Sequence, residues 1–202
     1  MLRQLPAAPA RALDAGCGAG RLAGLLAELA DDVDAVDRSP VMIAKASATV
    51  PHRNVRHLLG DVLGPDLPLA PGGYDAVTAV SSLHHMPLRP ALSRLVGLVR
   101  PAGVLVVIGH YRPDTVPDQL AGLLALPANL VVGALLALRG RSGKPDDAHM
   151  PVQPPQATLS EIRAAADELI PGARVRRRLF WRYSLVWHRP SASARVGERW
   201  TP

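Results

Sequence analysis

Short apolar runs alternate with helical segments along this chain, and that alternation limits the fold more than any other feature of the sequence. The run Val104–Ile108 reads Val-Leu-Val-Val-Ile, and the run Tyr74–Val80 is almost as apolar. Strands that are apolar on both faces are typical of parallel sheets covered by helices on both sides. The sequence therefore predicts an α/β fold with crossover connections between its strands.

Turn and capping residues mark the ends of the predicted elements. The predicted strands cover residues 11–14, 33–37, 54–59, 74–80, 104–108, 173–179 and 183–188. Helices are predicted over 21–30, from Pro40 with Ser39 as the N-cap, over 89–99, and after Ser160. We expect a single domain over residues 1–189, with an insertion at 112–156 and a flexible tail at 190–202.

The composition fits one domain with an aliphatic core. The chain has 202 residues, of which 48% are hydrophobic but only 3% aromatic, so Ala, Leu and Val must fill most of the core. Cys17 is the only cysteine, which excludes an intramolecular disulfide and a multi-cysteine zinc site. The N-terminal residues before the first strand lack the apolar core of a signal peptide, so a cytoplasmic location is expected.

The net charge of +6 comes almost entirely from arginine, since Lys45 and Lys144 are the only lysines. Arg174 and residues 176–178 form the densest basic cluster. A basic surface can bind nucleic acid or an anionic membrane, but no ladder of RNA-stacking aromatic side chains accompanies this cluster. We interpret the cluster as a solvated surface and expect no nucleic-acid partner, with RNA binding kept as an alternative.

One uncharged stretch, Gln119 to Leu138, is long enough to be considered as a membrane span. Pro127 and Asn129 interrupt it near its centre, and it lies between two predicted strands of one sheet. A span there would separate those strands. We therefore expect a buried or lid-forming helix pair, and we leave peripheral contact with a membrane as an alternative.

A glycine-rich turn follows the first predicted strand, with the sequence Leu13-Asp-Ala-Gly-Cys-Gly-Ala-Gly20. Residues without a Cβ allow backbone N–H groups to approach a ligand closely. We predict that Gly16 and Gly18 form the turn. Gly20 is expected to let the following helix begin tight against the sheet.

The spacing of this turn differs from that of a dinucleotide-binding turn. The dinucleotide fingerprint requires glycine at the sixth position from Gly16, where this chain has Arg21. Asp14 precedes the first glycine by two residues, and a carboxylate there is badly placed against a pyrophosphate. It suits a cationic group instead, such as the amino group of a bound amino acid.

Two further acids end the next two predicted strands. Asp37 closes the second strand, where an acid can accept hydrogen bonds from ribose hydroxyls, and Asp61 follows the third strand, where it can accept from an adenine amino group. Any one of these aspartates could simply satisfy turn backbone. Because the carboxyl ends of parallel strands converge on one crevice, all three together predict a nucleoside site there.

This series of motifs resembles the class I S-adenosylmethionine (SAM) dependent methyltransferases. The matching segments extend from Ala12 to about Ile108 in the family's order, and they are 13–20, 36–43, 60–61, 74–77, 83–86 and 98–105. The resemblance implies a Rossmann-like, doubly wound, three-layer α/β/α domain. Its seven-stranded, mostly parallel sheet would carry an antiparallel last strand, and its cofactor would be SAM.

The resemblance also implies a role for each matching residue. Asp14 and the glycine turn would meet the methionine part of SAM, and Asp37 would meet its ribose. Asp61 and Val62 would frame the adenine, and Ser81 would lie beneath the sulfonium. The implied cofactor-binding residues are Asp14, Gly16, Cys17, Gly18, Gly20, Asp37, Arg38, Met42, Asp61, Val62 and Ser81.

Methyl transfer from a sulfonium is an in-line displacement that mainly requires alignment and exclusion of water. A base helps when the acceptor is a hydroxyl or an acidic carbon, and His84, His85 and Tyr111 are the candidate catalytic residues, with His110 beside Tyr111. No acids accompany the histidines, so no metal is expected. The chain has no Asn-Pro-Pro-Tyr motif after the fourth strand, which argues against methylation of a nucleic-acid amine. The apolar stretch favours a small, hydrophobic acceptor.

One departure from the family leaves alternatives open. About ten residues precede the first predicted strand, where family members usually have helices that cover the active site. The cover could come from the substrate-covering insertion 112–156 or from a partner chain, such as a second copy in a homodimer. A SAM-binding subunit that is non-catalytic or depends on a partner, an RNA methyltransferase and a nicotinamide-dependent oxidoreductase are the competing functions.

Overall fold

The computed structural model describes residues 1–115 and 154–191, and within them seven strands form one sheet in the order β3-β2-β1-β4-β5-β7-β6. From β1 the chain adds β2 and then β3 on one side, and it then crosses back to add β4 and β5 on the other side of β1. The strands are β1 (Arg11–Ala15), β2 (Asp32–Asp37), β3 (Val55–Leu59), β4 (Tyr74–Val80), β5 (Val99–His110), β6 (Arg174–Arg178) and β7 (Arg182–His188).

The direction of the strands confirms the predicted topology. Strands β1 to β5 pair in parallel. The last strand, β7, lies between β5 and β6 and is antiparallel to both. The β6–β7 connection is a tight hairpin, so β7 must return antiparallel to β6. The sheet is therefore the Rossmann-like arrangement with an antiparallel last strand.

Helices cover both faces of the sheet and create two cores. On one face, α1 (Arg21–Ala27) and α2 (Pro40–Thr49) pack over β1 and β2. On the other face, α3 (Leu88–Leu98) and α4 (Leu159–Leu169) pack over β4, β5 and β7 and form the larger core. Both cores are built mainly of aliphatic side chains, as the composition requires.

The helix boundaries depend on side-chain caps. Ser39 caps α2 as predicted, with its hydroxyl accepting from the N–H of Met42. Helix α1 ends at Ala27, three residues before the predicted end, because the side chain of Asn54 donates to the carbonyl oxygens of Ala27 and Ala30. This tertiary cap also takes Asn54 out of β3, which begins at Val55.

Several sequence predictions fall outside the described residues. The apolar stretch 119–138, most of the insertion 112–156 and the tail beyond residue 191 lie there. Within the described part of the chain, no helix has the length and apolar character needed to cross a membrane. The division of the chain into domain, insertion and tail therefore stays a prediction.

A buried carboxylate links four strands of the sheet away from the glycine turn. Asp34 in β2 is 5% exposed. Its two oxygens accept from Nε and Nη2 of Arg56 at 2.7 and 2.9 Å, from Nη2 of Arg11 at 3.2 Å and from the hydroxyl of Tyr74 at 2.6 Å. These bonds hold the pKa of Asp34 below its usual value although burial alone would raise it.

We expect Asp34→Asn to lower the free energy of unfolding by about 1–3 kcal/mol, because it weakens the charge-assisted hydrogen bonds of a buried carboxylate whose arginine partners are partly exposed to water. The measurement is urea unfolding followed by circular dichroism. Asp32→Asn, on an exposed residue of the same strand, serves as the control and should change stability by under about 1 kcal/mol. Equal losses in both variants would contradict the assigned role of the Asp34 cluster.

Candidate functional site

The carboxyl ends of the parallel strands meet at one edge of the sheet, where backbone hydrogen bonds join neighbouring strand ends. The N–H of Gly60, after β3, donates to the carbonyl oxygen of Asp37 at 3.0 Å. The N–H of Ser81, after β4, donates to the oxygen of Ile108 in β5 at 2.7 Å. These bonds fix the loops that carry the predicted site residues, as expected for an open α/β sheet.

The turn between β1 and α1 holds its three glycines in the left-handed region. Gly16, Gly18 and Gly20 have φ angles of 79°, 53° and 82°, which favour residues without a Cβ. The N–H groups of Gly16 and Cys17 both donate to the oxygen of Val36, at 2.8 and 2.9 Å, and that of Gly20 donates to Cys17. These three N–H groups therefore have their hydrogen-bond partners inside the protein.

The absence of a side chain at Gly16 allows the first and fourth strand ends to touch. A Cβ on Gly16 would lie 2.3 Å from the Cβ of Ser82, a distance that real atoms do not adopt. The buried hydroxyl of Ser82 donates to the oxygen of Ala15 at 2.6 Å. At Gly20, a Cβ would lie 3.0 Å from that of Ala46 in α2, so the glycine also lets the start of α1 approach α2 closely.

Asp14 places a carboxylate in the interior beside this turn. It is 1% exposed, and its Oδ1 lies 3.3 Å from the hydroxyl of Thr78. Its Oδ2 is buried and has no hydrogen-bond partner. Burial raises the pKa of Asp14 to about 7, opposed by the Thr78 contact and reinforced by the charge of Asp37. A buried acceptor without a donor is costly, which makes this oxygen the best candidate in the turn for receiving a ligand.

Asp37 connects the end of β2 to the glycine turn. Its Oδ2 accepts from the N–H of Gly18 at 2.9 Å, and its Oδ1 accepts from the N–H of Ser39 at 2.9 Å. Each carboxylate oxygen has a second lone pair, so the half-buried group can still accept from a ligand hydroxyl. Asp37 therefore shapes the glycine turn and can still accept a hydrogen bond from a ligand at this edge of the sheet.

The other predicted cofactor residues surround this centre at different depths. Met42 and Val62 are buried, whereas Arg38 and Asp61 are exposed. Asp61 accepts from the N–H of Leu63 at 2.9 Å, which is the ordinary turn role of an aspartate.

Cys17 in the glycine turn and Ser81 after β4 both have features that bear on binding. Cys17 is buried, and burial raises the pKa of its thiol, which keeps it neutral. Ser81 has a φ of 54°, an unusual value for a residue with a side chain. Strained residues of this kind are found at functional sites, which is consistent with the position of Ser81 at the edge.

Comparison with known proteins identifies the family. A family model described as a methyltransferase domain matches residues 13–107. An uncharacterized methyltransferase of Mycobacterium tuberculosis strain H37Rv is 36% identical over 180 residues, which cover 88% of this chain and 86% of the relative. This chain belongs to the class I SAM-dependent methyltransferases. A ubiquinone biosynthesis O-methyltransferase of Xanthomonas campestris is 36% identical over 100 residues, or 48% of this chain and 41% of that protein.

Solved structures of low sequence identity share the fold of this methyltransferase. A SAM-dependent methyltransferase from Aquifex aeolicus superposes with a TM-score of 0.59 at 16% identity, covering 92% of this chain and 86% of that one. The cyclase SpnF gives a TM-score of 0.64 at 14% identity, covering 94% and 79%. Since one neighbour is named a cyclase, the fold alone does not fix the reaction, and the chemistry must be argued from the site.

Three imidazoles of the methyltransferase gather beyond the glycine turn, after β4 and at the end of β5. The ring centroids of His84 and His85 lie 4.0 Å apart, and those of His84 and His110 lie 5.1 Å apart. The Nδ1 atoms of His84 and His85 are buried and have no hydrogen-bond partner. Burial, aided by the neighbouring imidazoles, lowers the pKa of His84 to about 4, and burial also lowers that of His110. These two rings are therefore neutral at pH 7.

A cavity of about 620 Å³ opens beside these rings, between the sheet and the first turns of α3 and α4. His84 and His110 contribute to its lining, together with Leu83, Ile162 and Tyr183. Neither His85 nor Tyr111, the other candidate catalytic residues, lines it. Tyr111 is 1% exposed, and its backbone N–H donates to the oxygen of Trp181. Among the described residues, no three His, Cys, Asp or Glu side chains are arranged to hold a metal ion.

Sequence reasoning missed three residues that shape the site. Ser82 holds β4 to the glycine turn, Thr78 contacts Asp14, and Tyr183 reaches the cavity from β7. Tyr183 fits against β5 because Gly109 has no side chain; a Cβ there would lie 2.6 Å from the tyrosine ring. The available signals were a threonine within a mostly apolar strand and a glycine inside the strongest strand, which marks close approach.

We expect the affinity for S-adenosylhomocysteine to fall as the pH drops below 7. In the predicted site the ligand's ammonium group would pair with ionised Asp14, so the pKa of about 7 in the free protein would fall on binding. Binding therefore releases a proton at low pH, and affinity should fall by up to about tenfold per pH unit between pH 7 and 5.5. Isothermal titration calorimetry across that range measures it. Asp14→Asn should bind weakly with no such slope; a flat profile in the native protein would refute the pairing.

We expect Asp37→Ala to weaken S-adenosylhomocysteine binding by about 1–3 kcal/mol, because it removes charge-assisted hydrogen bonds to the ribose and the anchor of Gly18. Calorimetry gives the affinity. Asp66→Ala, on an exposed acid outside the turn, is the matched control and should bind as the native protein does. Unchanged affinity in Asp37→Ala would remove the ribose assignment.

Proposed function

We propose that this methyltransferase holds SAM between the glycine turn and Asp37 and transfers its methyl group to a small, hydrophobic acceptor that carries an acidic hydroxyl. The observation that carries the proposal is the unpartnered Oδ2 of Asp14, buried beside a turn whose own N–H groups are used elsewhere. Such a turn offers a hydrogen-bond acceptor to a cation, but it has few free N–H groups to donate to a phosphate.

The turn fits SAM on both counts. SAM has an ammonium group that can donate to Asp14, and it has no phosphate that would need free N–H groups from Gly16, Cys17 or Gly20. Asp37 retains lone pairs for the ribose hydroxyls. A dinucleotide, with its pyrophosphate, would meet a buried carboxylate and few donors in the same place, which argues against the oxidoreductase alternative.

The acceptor cavity supports a hydrophobic substrate. Its wall is formed by the side chains of Leu83, Met86 and Ile162, and by the ring of Tyr183. Its volume of about 620 Å³ lies within the range of small-molecule sites, which are mostly apolar with a few oriented polar groups. His84 and His110 are among its polar groups, with Arg89, Gln156 and Glu161 also in the lining. We keep the covering role of 112–156 as part of the proposal.

The histidines favour an acidic hydroxyl over an alcohol or an amine. When bound, SAM supplies an electrophilic methyl group on a cationic sulfur. His84 is neutral and can accept the hydroxyl proton while the acceptor oxygen forms its bond to the methyl carbon, and the electrons of the broken carbon–sulfur bond stay on sulfur. With a pKa of about 4, His84 is a weak base until an anionic oxygen beside it stabilises the imidazolium. An easily ionised acceptor meets that condition.

The residues of this chain also align the reactants and exclude water. Ser82 and Gly16 fix the β1 and β4 ends against each other, which sets the distance between the proposed cofactor turn and the histidines. Alignment of this kind supplies most of the acceleration in a displacement reaction. The relative from Xanthomonas campestris is named an O-methyltransferase, which supports oxygen as the methylated atom.

We expect turnover with hydrophobic phenols or enols and none with polar metabolites or RNA, measured as release of S-adenosylhomocysteine from an acceptor panel. His84→Gln should lower kcat by about 100-fold or more while leaving S-adenosylhomocysteine affinity within twofold, because the base is lost and the cofactor turn is untouched. His52→Gln, on an exposed histidine, is the control.

Three outcomes separate the alternatives. Turnover only of polar metabolites would contradict the acceptor class, and turnover of RNA would replace the proposal with RNA methylation. Cofactor binding without turnover on any acceptor, reversed by adding a second protein, would favour the partner-dependent subunit.

A further inference from the structure

The turn between β6 and β7 exposes large apolar side chains at the tip of a hairpin. Leu179 is 62% exposed and Trp181 is 43% exposed. Phe180 and Trp181 have φ angles of 61° and 51°, in the left-handed region that normally selects asparagine or glycine. Two aromatic residues in such positions cost conformational energy, and strained residues of this kind are found at functional sites.

Arginines are concentrated in the hairpin that carries this tip. Residues 174–189 contain six arginines and no aspartate or glutamate. Arg174, Arg176 and Arg178 alternate along β6 and line, with apolar residues of β5 and β7, a cavity of about 690 Å³. Arg178 donates to the hydroxyl of Ser184, and Arg182 donates to the imidazole of His110. None of these four guanidinium groups pairs with a carboxylate of the described chain.

The pairing of strands puts the tip at the carboxyl edge of the sheet. Strand β6 is antiparallel to β7, which is antiparallel to β5, so β6 runs in the direction of β5 and ends at the same edge. Arg182 lies opposite His110 in the register of β5 and β7. The exposed tip therefore projects from the edge that also carries the histidines and their cavity.

We propose that the β6–β7 hairpin docks this edge of the protein on an anionic lipid bilayer. Leu179, Phe180 and Trp181 enter the interface between headgroups and acyl chains, and the flanking arginines bind the anionic headgroups. Tryptophan and arginine suit that depth because each combines an apolar body with a polar end.

The arrangement of the apolar side chains favours a bilayer over RNA as the occupant. Single-stranded RNA binds to aromatic rings arranged as a stacking platform along a groove. Here the apolar residues are confined to one three-residue turn, and Leu179, the most exposed of them, cannot stack on a base. The docking surface does not depend on the identity of the acceptor or on methyl transfer.

Co-sedimentation with phosphatidylcholine vesicles, with and without phosphatidylglycerol, tests the proposal. We expect the native protein to bind only the vesicles that contain phosphatidylglycerol. Arg176→Gln with Arg178→Gln should lower the partition coefficient by about 25-fold, since each basic residue near an anionic surface contributes about fivefold. Arg53→Gln with Arg163→Gln removes the same charge from exposed sites elsewhere and should reduce binding by less than about threefold.

A second variant separates docking from folding. Phe180→Asn with Trp181→Gly replaces the aromatic residues by the residues that left-handed positions prefer, so the hairpin should keep its fold while vesicle binding falls at least tenfold. Unchanged urea midpoints and S-adenosylhomocysteine affinity verify folding.

The proposal is overturned if the native protein does not bind vesicles that contain phosphatidylglycerol. It is also overturned if the variant with Phe180→Asn and Trp181→Gly binds them as well as the native protein. Binding of polyuridylate that depends on the arginines but not on Phe180 and Trp181 would show that the occupant is RNA and would also overturn the proposal.

Discussion

The approach of Ser82 to Gly16 is the contact on which the rest of the site depends. The two residues follow strands that lie next to each other in the sheet, and there is no space between them for a methyl group. The serine hydroxyl then fastens β4 to the last residue of β1. Because the proposed cofactor turn follows β1 and the histidines follow β4, this contact sets the distance over which a methyl group would travel.

The role proposed for Asp14 depends on an unfavourable feature of the free protein. Its carboxylate is buried without a full set of partners, and its pKa rises accordingly. Asp34, equally buried, is surrounded by donors and has a lowered pKa. The two acids lie on the same sheet, but only the first departs from the rule that buried polar groups are satisfied, and such departures are expected at functional sites.

The chemistry of the carboxyl edge changes along the sheet in the order of the strands. Three acids lie at one end, with the exposed Arg38 beside them, histidines in the middle and arginines at the other end. In that order the acids, histidines and terminal arginines are Asp61, Asp37, Asp14, His84, His85, His110, Arg182 and Arg178. Acids suit a cationic cofactor, and arginines suit an anionic surface. A basic composition thus conceals a division of charge that the net value does not reveal.

The sequence by itself determined the α/β class, the mostly parallel sheet with an antiparallel last strand and the family, because apolar alternation, glycine spacing and terminal acids are local patterns in the chain. It placed Asp14, Asp37 and the capping Ser39 correctly at strand and helix ends. The tertiary structure alone decided that the N–H groups of the turn are used by Val36, that Asn54 shortens α1 and that Ser82 meets Gly16. Each of these is a contact between residues at least nineteen positions apart, and their partners are chosen by packing, which a local pattern does not contain.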